Sequence, residues 1–255
     1  MTSIFIKGCK EQLHWLCYNL QLLEKHWLDW GKTEVIVKLD PDCEEPIREW
    51  GVKGVRYIYE KPWPDTYMHA LWSKAIADRY CTGDPIMLLD CDTFLMQPSS
   101  LGNFMMENKI ALQYFPWEME RDAGQQLARV LWPRVFREST GLELPCDYMV
   151  TRPWIFWRST YAGARSLIEN HKNLPFDQAV YSEAPFDWRN YPNHPFKFCD
   201  LEALGYYAAN HETGRYWVVD YRDHMLGDDR FIDMWSHTPF TPALQKRLDV
   251  TLASP

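Results

Sequence analysis

Apolar positions along the first third of the chain recur with two alternating periods. Ile4-Phe5-Ile6 is a short apolar run that breaks at Gly8, and Leu13, Leu16, Cys17, Leu20, Leu23 and Trp27 follow at helical spacing. Glu34–Leu39 predicts a second strand, stopped by Asp40-Pro41-Asp42, with a short helix over Glu44–Trp50 and a third strand over Val55–Tyr59. Residues 67–80 predict a helix with Leu71, Trp72, Ala75 and Ile76 on one face. Then comes Ile86-Met87-Leu88-Leu89, wholly apolar, entered through the turn signal Thr82-Gly83-Asp84-Pro85 and closed by Asp90-Cys91-Asp92. Such a run predicts a buried central strand. Strands alternating with helices imply a parallel sheet with right-handed crossovers.

Past Asp92 the alternation stops. Residues 110–115 predict a strand, 122–136 and 161–171 helices, 201–210 a helix and 215–221 a strand. Residues 144–157 read as irregular, 173–197 as a loop-dominated wall rich in Pro, Asn and aromatics, and the C-terminal tail as a mixture of Gly, Asp and Pro. With 255 residues and 46% apolar content, one α/β domain over residues 1–255 is expected. In that reading residues 1–115 bind the ligand and 116–255 bind its partner and close the site.

The carboxylates after the apolar run are the main candidate for chemistry. Alternation along an extended chain would turn Asp90 and Asp92 the same way, into the crevice at the strand's carboxyl end where open α/β sheets bind ligands. Two convergent carboxylates form a hard-oxygen site for Mg²⁺ or Mn²⁺, whose shell phosphate oxygens complete. The alternative is two surface aspartates flanking a turn. Lys74 and Asp78 stand one helical turn apart, which suits a surface ion pair or, beside a diphosphate, a contact to donor phosphate or hydroxyl.

Lys74-Ala75-Ile76-Ala77-Asp78-Arg79-Tyr80 followed by Ile86-Met87-Leu88-Leu89-Asp90-Cys91-Asp92 resembles the K-x-x-A-D-x-Y…DxD segment of GT-A-type glycosyltransferases, and most of all the small glycosyltransferases found in bacteriophages. Ile4-Phe5-Ile6-Lys7, Leu13-His14-Trp15-Leu16, Asp147-Tyr148-Met149, Asp200-Leu201-Glu202-Ala203-Leu204-Gly205-Tyr206-Tyr207-Ala208 and Trp235-Ser236-His237 are similar to further blocks of that group. Cys91 stands where that family has a small Ser or Ala, and Ala203 where Asn is frequent.

The resemblance implies a GT-A-like, Rossmann-like α/β/α sandwich with a mostly parallel central sheet. It implies a metal (Mn²⁺ or Mg²⁺) held by Asp90, Asp92 and His237, and a nucleotide-sugar, a UDP-sugar, contacted by Lys7, Lys74, Asp78 and Asp90. Glu202 would be the catalytic base, or the carboxylate flanking the sugar if configuration is retained, with Asp200 as its substitute. His224, beside Asp223, rivals His237. The plain alternatives are a turn histidine for His237 and a helix N-terminal carboxylate for Glu202.

The formal charge of −8 argues against charge-driven binding to nucleic acid in general. Between Arg121 and Arg165, however, seven arginines and no lysine face four acidic residues, interleaved with Trp132, Trp154, Phe156 and Trp157. Arginine beside aromatics suits phosphate contacts and stacking. The phage-type resemblance and this stretch together suggest DNA carrying a hydroxymethylated pyrimidine as acceptor, with a glycan, lipid or protein hydroxyl as the alternative. A sugar nucleotidyltransferase or a non-catalytic carbohydrate binder uses related architecture, but the single glycine of Gly8-Cys9-Lys10-Glu11 is not a phosphate-cradling loop. Seven scattered cysteines without a C-x-x-C pair predict reduced thiols. The N-terminus lacks a signal-peptide pattern and no run spans a membrane, so a cytoplasmic protein is expected, in host cytoplasm if phage-encoded.

Overall fold

The computed structural model describes residues 1–117, 123–149, 153–190, 193–223, 230–233 and 241–253, with backbone alone at 123–129, 188, 232 and 233. Its elements begin with β1 (Ser3–Lys7), α1 (Leu13–His26), β2 (Glu34–Leu39), α2 (Glu44–Trp50), β3 (Val55–Tyr59), α3 (Thr66–Ala75), β4 (Ile86–Asp90) and β5 (Thr93–Leu95). There follow β6 (Met105–Met106), β7 (Lys109–Pro116), α4 (Ala123–Thr140), β8 (Cys146–Asp147), β9 (Trp154–Phe156), α5 (Arg158–Lys172) and α6 (Phe176–Val180). The last are α7 (Asp200–His211), β10 (Tyr216–Asp220), β11 (Phe231–Asp233) and α8 (Pro242–Ala253).

The central sheet has the order β3-β2-β1-β4-β9, parallel throughout except for β9, which runs antiparallel to β4. This is the mixed α/β architecture with a mostly parallel sheet that the alternating pattern predicts. Ile86, Met87, Leu88 and Leu89 are fully buried, as a central strand requires. Burying each contributes roughly 1.5–3 kcal/mol, so the end of β4 is held rigidly. A second sheet pairs β10 parallel and β6 antiparallel to β7, with β8 on the far end of β7, and β5 pairs antiparallel with β11.

Several local expectations are corrected. The helix expected over 67–80 ends at Ala75 and continues as a 3-10 turn over Ala77–Arg79. The Arg165 guanidinium takes the freed Ala75 carbonyl at 2.9 Å, so a tertiary partner replaces the next helical turn. The stretch 144–157 contains β8 and β9, each too short to show a period, and the wall over 173–197 holds the five-residue α6. The tail forms β11 and α8, and α8 buries only Leu244 and Leu248, a weak apolar signal. Lys25 caps α8 by donating to the carbonyls of Thr251 and Leu252, at 2.7 and 2.8 Å. No described helix is long and apolar enough to cross a membrane, and all seven cysteines are free thiols.

Candidate functional site

From β1 the chain passes to β2 and β3 on one side, then returns to lay β4 against the other side of β1. The carboxyl ends of β1 and β4 therefore flank the point where the order of winding reverses, the crevice in which such sheets bind ligands. Lys7 and Asp90 are register partners across it. A Cβ on Gly8 would lie 2.5 Å from Cys91 Sγ, so only glycine lets the two strand ends approach this closely. Cys91 is buried and donates its thiol hydrogen to the Lys7 carbonyl at 3.3 Å. It packs the seam between the two loops.

The carboxylates are presented by a turn, which corrects the simple alternation argument: β4 ends at Asp90, residues 91 and 92 turn, and β5 begins at Thr93. One buried amide pins that turn. Asn19 on α1 donates through Nδ2 to the carbonyls of Asp90 (3.0 Å) and Thr93 (2.5 Å). Asp92 is buried, while the Asp90 side chain keeps 27% of its surface open.

Lys74 and Asp78 do not pair with each other. The Lys74 ammonium is ion-paired with Asp90 Oδ1 and sits 5.2 Å from the centre of the Trp154 ring. Both oxygens of Asp78 accept from Arg165 on α5, at 2.6 and 2.8 Å. Lys7 donates to the Gly8 carbonyl (2.6 Å) and to Asp40 Oδ1 (3.0 Å).

Helix α7 brings two further acids. Asp200, in its first turn, is buried, and neither carboxylate oxygen has a hydrogen-bond partner among the described residues. Burial pushes its pKa up to about 6, against the pull of Lys74; Asp90 pushes the same way as burial. Asp200 thus belongs to the same electrostatic group as Lys74 and Asp90. Glu202 is also wholly buried; its Oε2 accepts the Tyr148 N–H at 3.0 Å and its Oε1 meets no donor. Burial first, and the Asp147 carboxyl second, raise its pKa well above the usual carboxylate range. The close approach of α7 to the β8 region depends on Gly205, where a Cβ would lie 2.3 Å from Tyr148 Cβ.

For a divalent cation the donor set is hard oxygen, and Asp90 and Asp92 suit it. Among the described residues no three His, Cys, Asp or Glu side chains gather into a metal-holding group. His237 and its rival His224 lie outside the described residues. The β5–β11 pairing sets Asp233 opposite Thr93, next to Asp92.

Where the arginine–aromatic stretch is described, its aromatics are mostly buried and its arginines half-buried or exposed. Arg165 ties α5 to Asp78, Arg158 donates to the Cys81 carbonyl, and Trp132, Trp154 and Phe156 are buried. Arg134 and Arg137 are exposed and paired with Glu138 and Glu143, and Arg215 stacks on Trp157. Arg121 and Arg152 lie outside the described residues.

One cluster went unforeseen. Lys38, fully buried on β2, donates to Ser73 Oγ (3.0 Å), pairs with Glu60 (3.1 Å) and lies 4.2 Å from the centre of the Trp72 ring. Burial pulls its pKa down to about 8. His69 Nε2 is 3.4 Å from the same Glu60 carboxylate, and Tyr80 donates to its other oxygen at 2.9 Å. The lone lysine in Val35-Ile36-Val37-Lys38-Leu39 was the available signal.

No family model and no curated protein matches the chain. Among solved structures, that of the glycosyltransferase GlyE from Streptococcus pneumoniae TIGR4 aligns with 99% of this chain at 9% identity and a TM-score of 0.47. The chain spans 60% of the length of that protein.

Proposed function

We propose that the chain is a GT-A-type glycosyltransferase that moves a sugar from a nucleoside-diphosphate donor, a UDP-sugar, to an acceptor hydroxyl. The observation that carries this reading is the grouping of Lys74, Asp90 and the unpartnered, buried Asp200 at the reversal crevice, with Asp92 on the adjoining turn. Among these carboxylates Asp90 is the open one, its side chain 27% exposed at the carboxyl end of β4, where the hydroxyls of a sugar could reach it.

Asp90 and Asp92 would hold Mn²⁺ or Mg²⁺, with His237 or its rival His224 as the further ligand that the resemblance implies. Bound there, the cation would offset charge on the departing diphosphate. Lys74 and Lys7 add positive charge at the crevice of a chain whose net charge is −8. Asp200, with a pKa of about 6, is ionised at neutral pH yet stripped of water, which suits it to orient or deprotonate a hydroxyl. Asp78 has both oxygens taken by Arg165, so its part in this scheme is to fix the end of α3.

For the acceptor, the inward ties of Arg158 and Arg165 weaken the case for a hydroxymethylated base in DNA and favour a hydroxyl on a glycan, lipid or protein. The test is incubation with a panel of nucleotide-sugars and Mn²⁺, with and without acceptors of each class. UDP release, lost to background in Asp92→Ala, supports the reading. Pyrophosphate release from a nucleoside triphosphate and a sugar phosphate would instead identify a nucleotidyltransferase. Transfer to hydroxymethylated duplex alone would restore the DNA acceptor.

A further inference from the structure

Lys74 and Asp78 stand four residues apart, the spacing at which opposite charges pair along a helix, yet each is bonded to a different element. Nothing in the local sequence forbids the helical pair. The first glycine or proline after Lys74 is Gly83. Even so, α3 ends at Ala75, and Ile76 leaves the helical region with φ −115° and ψ 16°. The Arg79 N–H, which a continued helix would give to the Ala75 carbonyl, goes to the Ile76 carbonyl at 2.9 Å.

Arg165 of α5 fills the gap that results. Its guanidinium donates to the Ala75 carbonyl at 2.9 Å and to the two oxygens of Asp78 at 2.6 and 2.8 Å. A planar fork of donors can hold three acceptors in this way, where a lysine ammonium offers a point charge. The neighbouring Arg79 reaches Asp177 of α6, but those side chains are 41% and 49% exposed. Exposed pairs contribute little. Arg165 and Asp78 are 12% and 13% exposed, so theirs is the clasp that decides where α3 stops.

We propose that Arg165 assigns Lys74 to Asp90. By ending α3 at Ala75 and neutralising Asp78, it withdraws the acid that helical spacing would set beside Lys74 and leaves the ammonium to the crevice. Arg165 is a positioning residue: it comes from the second half of the chain and directs a charge of the first. The assignment stands on these contacts alone; its effect on sugar transfer rests on the glycosyltransferase reading.

A double-mutant cycle reads the assignment directly. Lys74→Met, Asp90→Asn and the two together give the coupling between Lys74 and Asp90 in urea unfolding, with chelator present so that no cation competes for Asp90. The coupling should be present in the wild-type background and lost in Arg165→Met, where Asp78 draws the ammonium away. It should return in Arg165→Met combined with Asp78→Asn, because the competing charge is gone. A clasp that served only to hold α3 would behave otherwise, since removing its second member could not restore anything. Should Arg165→Met fail to fold, Arg165→Gln, which retains an amide donor but not the charge, should show the same loss and the same rescue. Nucleotide-sugar turnover should follow in step, with kcat/KM falling roughly tenfold in Arg165→Met, the size of one lost charge-assisted contact, and recovering in the double variant.

A coupling indifferent to Arg165, or one that Asp78→Asn does not restore, overturns the assignment. The two readings fail separately. Coupling that follows this order in a protein without turnover keeps the assignment and removes the transferase, and turnover with a coupling indifferent to Arg165 does the reverse.

Discussion

Lys74, in the last turn of α3, sets its ammonium against the carboxylate of Asp90, the last residue of β4. The pair links a helix and an interior strand of the sheet across the crevice, and the same ammonium holds down the pKa of Asp200 on α7. Three elements distant in the chain thus share one cation, and the first two tests follow from that.

Lys74→Met keeps the side chain's length beneath Trp154 and removes its charge. The side chain is 11% exposed, so loss of its charge-assisted contact should cost about 2–3 kcal/mol in urea unfolding. Asp200 should titrate above about 6 in this variant, seen by following its carboxyl resonance. An unchanged titration would remove Lys74 from the Asp200 environment.

Asp200→Asn should leave the fold intact, since an amide tolerates burial better than a desolvated carboxylate. Nucleotide-sugar turnover should fall by roughly 10²–10⁴-fold if Asp200 handles the hydroxyl proton. In wild type the rate should rise with pH through about 6 as Asp200 ionises, and that limb should vanish in the variant.

Acid stability turns on His69. Its imidazole is buried among Trp63, Trp72 and Glu60, and burial, helped by Lys38, lowers its pKa to about 4. A folded pKa below the free value of 6.5 means that the stability it contributes is complete above 6.5 and lost as pH falls through about 4. The loss should reach on the order of 2–3 kcal/mol. His69→Phe, which keeps the stacking, should flatten the denaturation midpoint between these pH values.

Gly205→Ala tests the packing of α7 on Tyr148. The added carbon meets Tyr148 Cβ, which moves only with its backbone, so the variant should lose roughly 1–3 kcal/mol. A melting temperature equal to wild type would show that the helix slides freely there.

Much of the architecture was legible because its signals are local. Ile86 to Leu89 read as a buried strand from apolarity alone, and β4 is an interior strand, held between β1 and β9. The long helices α4, α5 and α7 were legible from periodicity, whereas β8, β9 and β11 span two or three residues and exist only through partners far along the chain. For the same reason the ionic partners were missed. Asp78 and Lys74 share helical spacing, yet the helix stops between them, and each is claimed by a residue that spacing does not reveal: Arg165 and Asp90.

By itself the chain determined which segments are strands and helices and which residues carry charge, because hydrophobic period and side-chain chemistry are properties of neighbours in sequence. Only the tertiary structure decided that β4 lies beside β1 at the reversal point, that one amide of Asn19 shapes the acidic turn, and that Asp200 is buried without a partner. Those outcomes depend on desolvation and on contacts between distant segments. Neither quantity exists until the chain has folded.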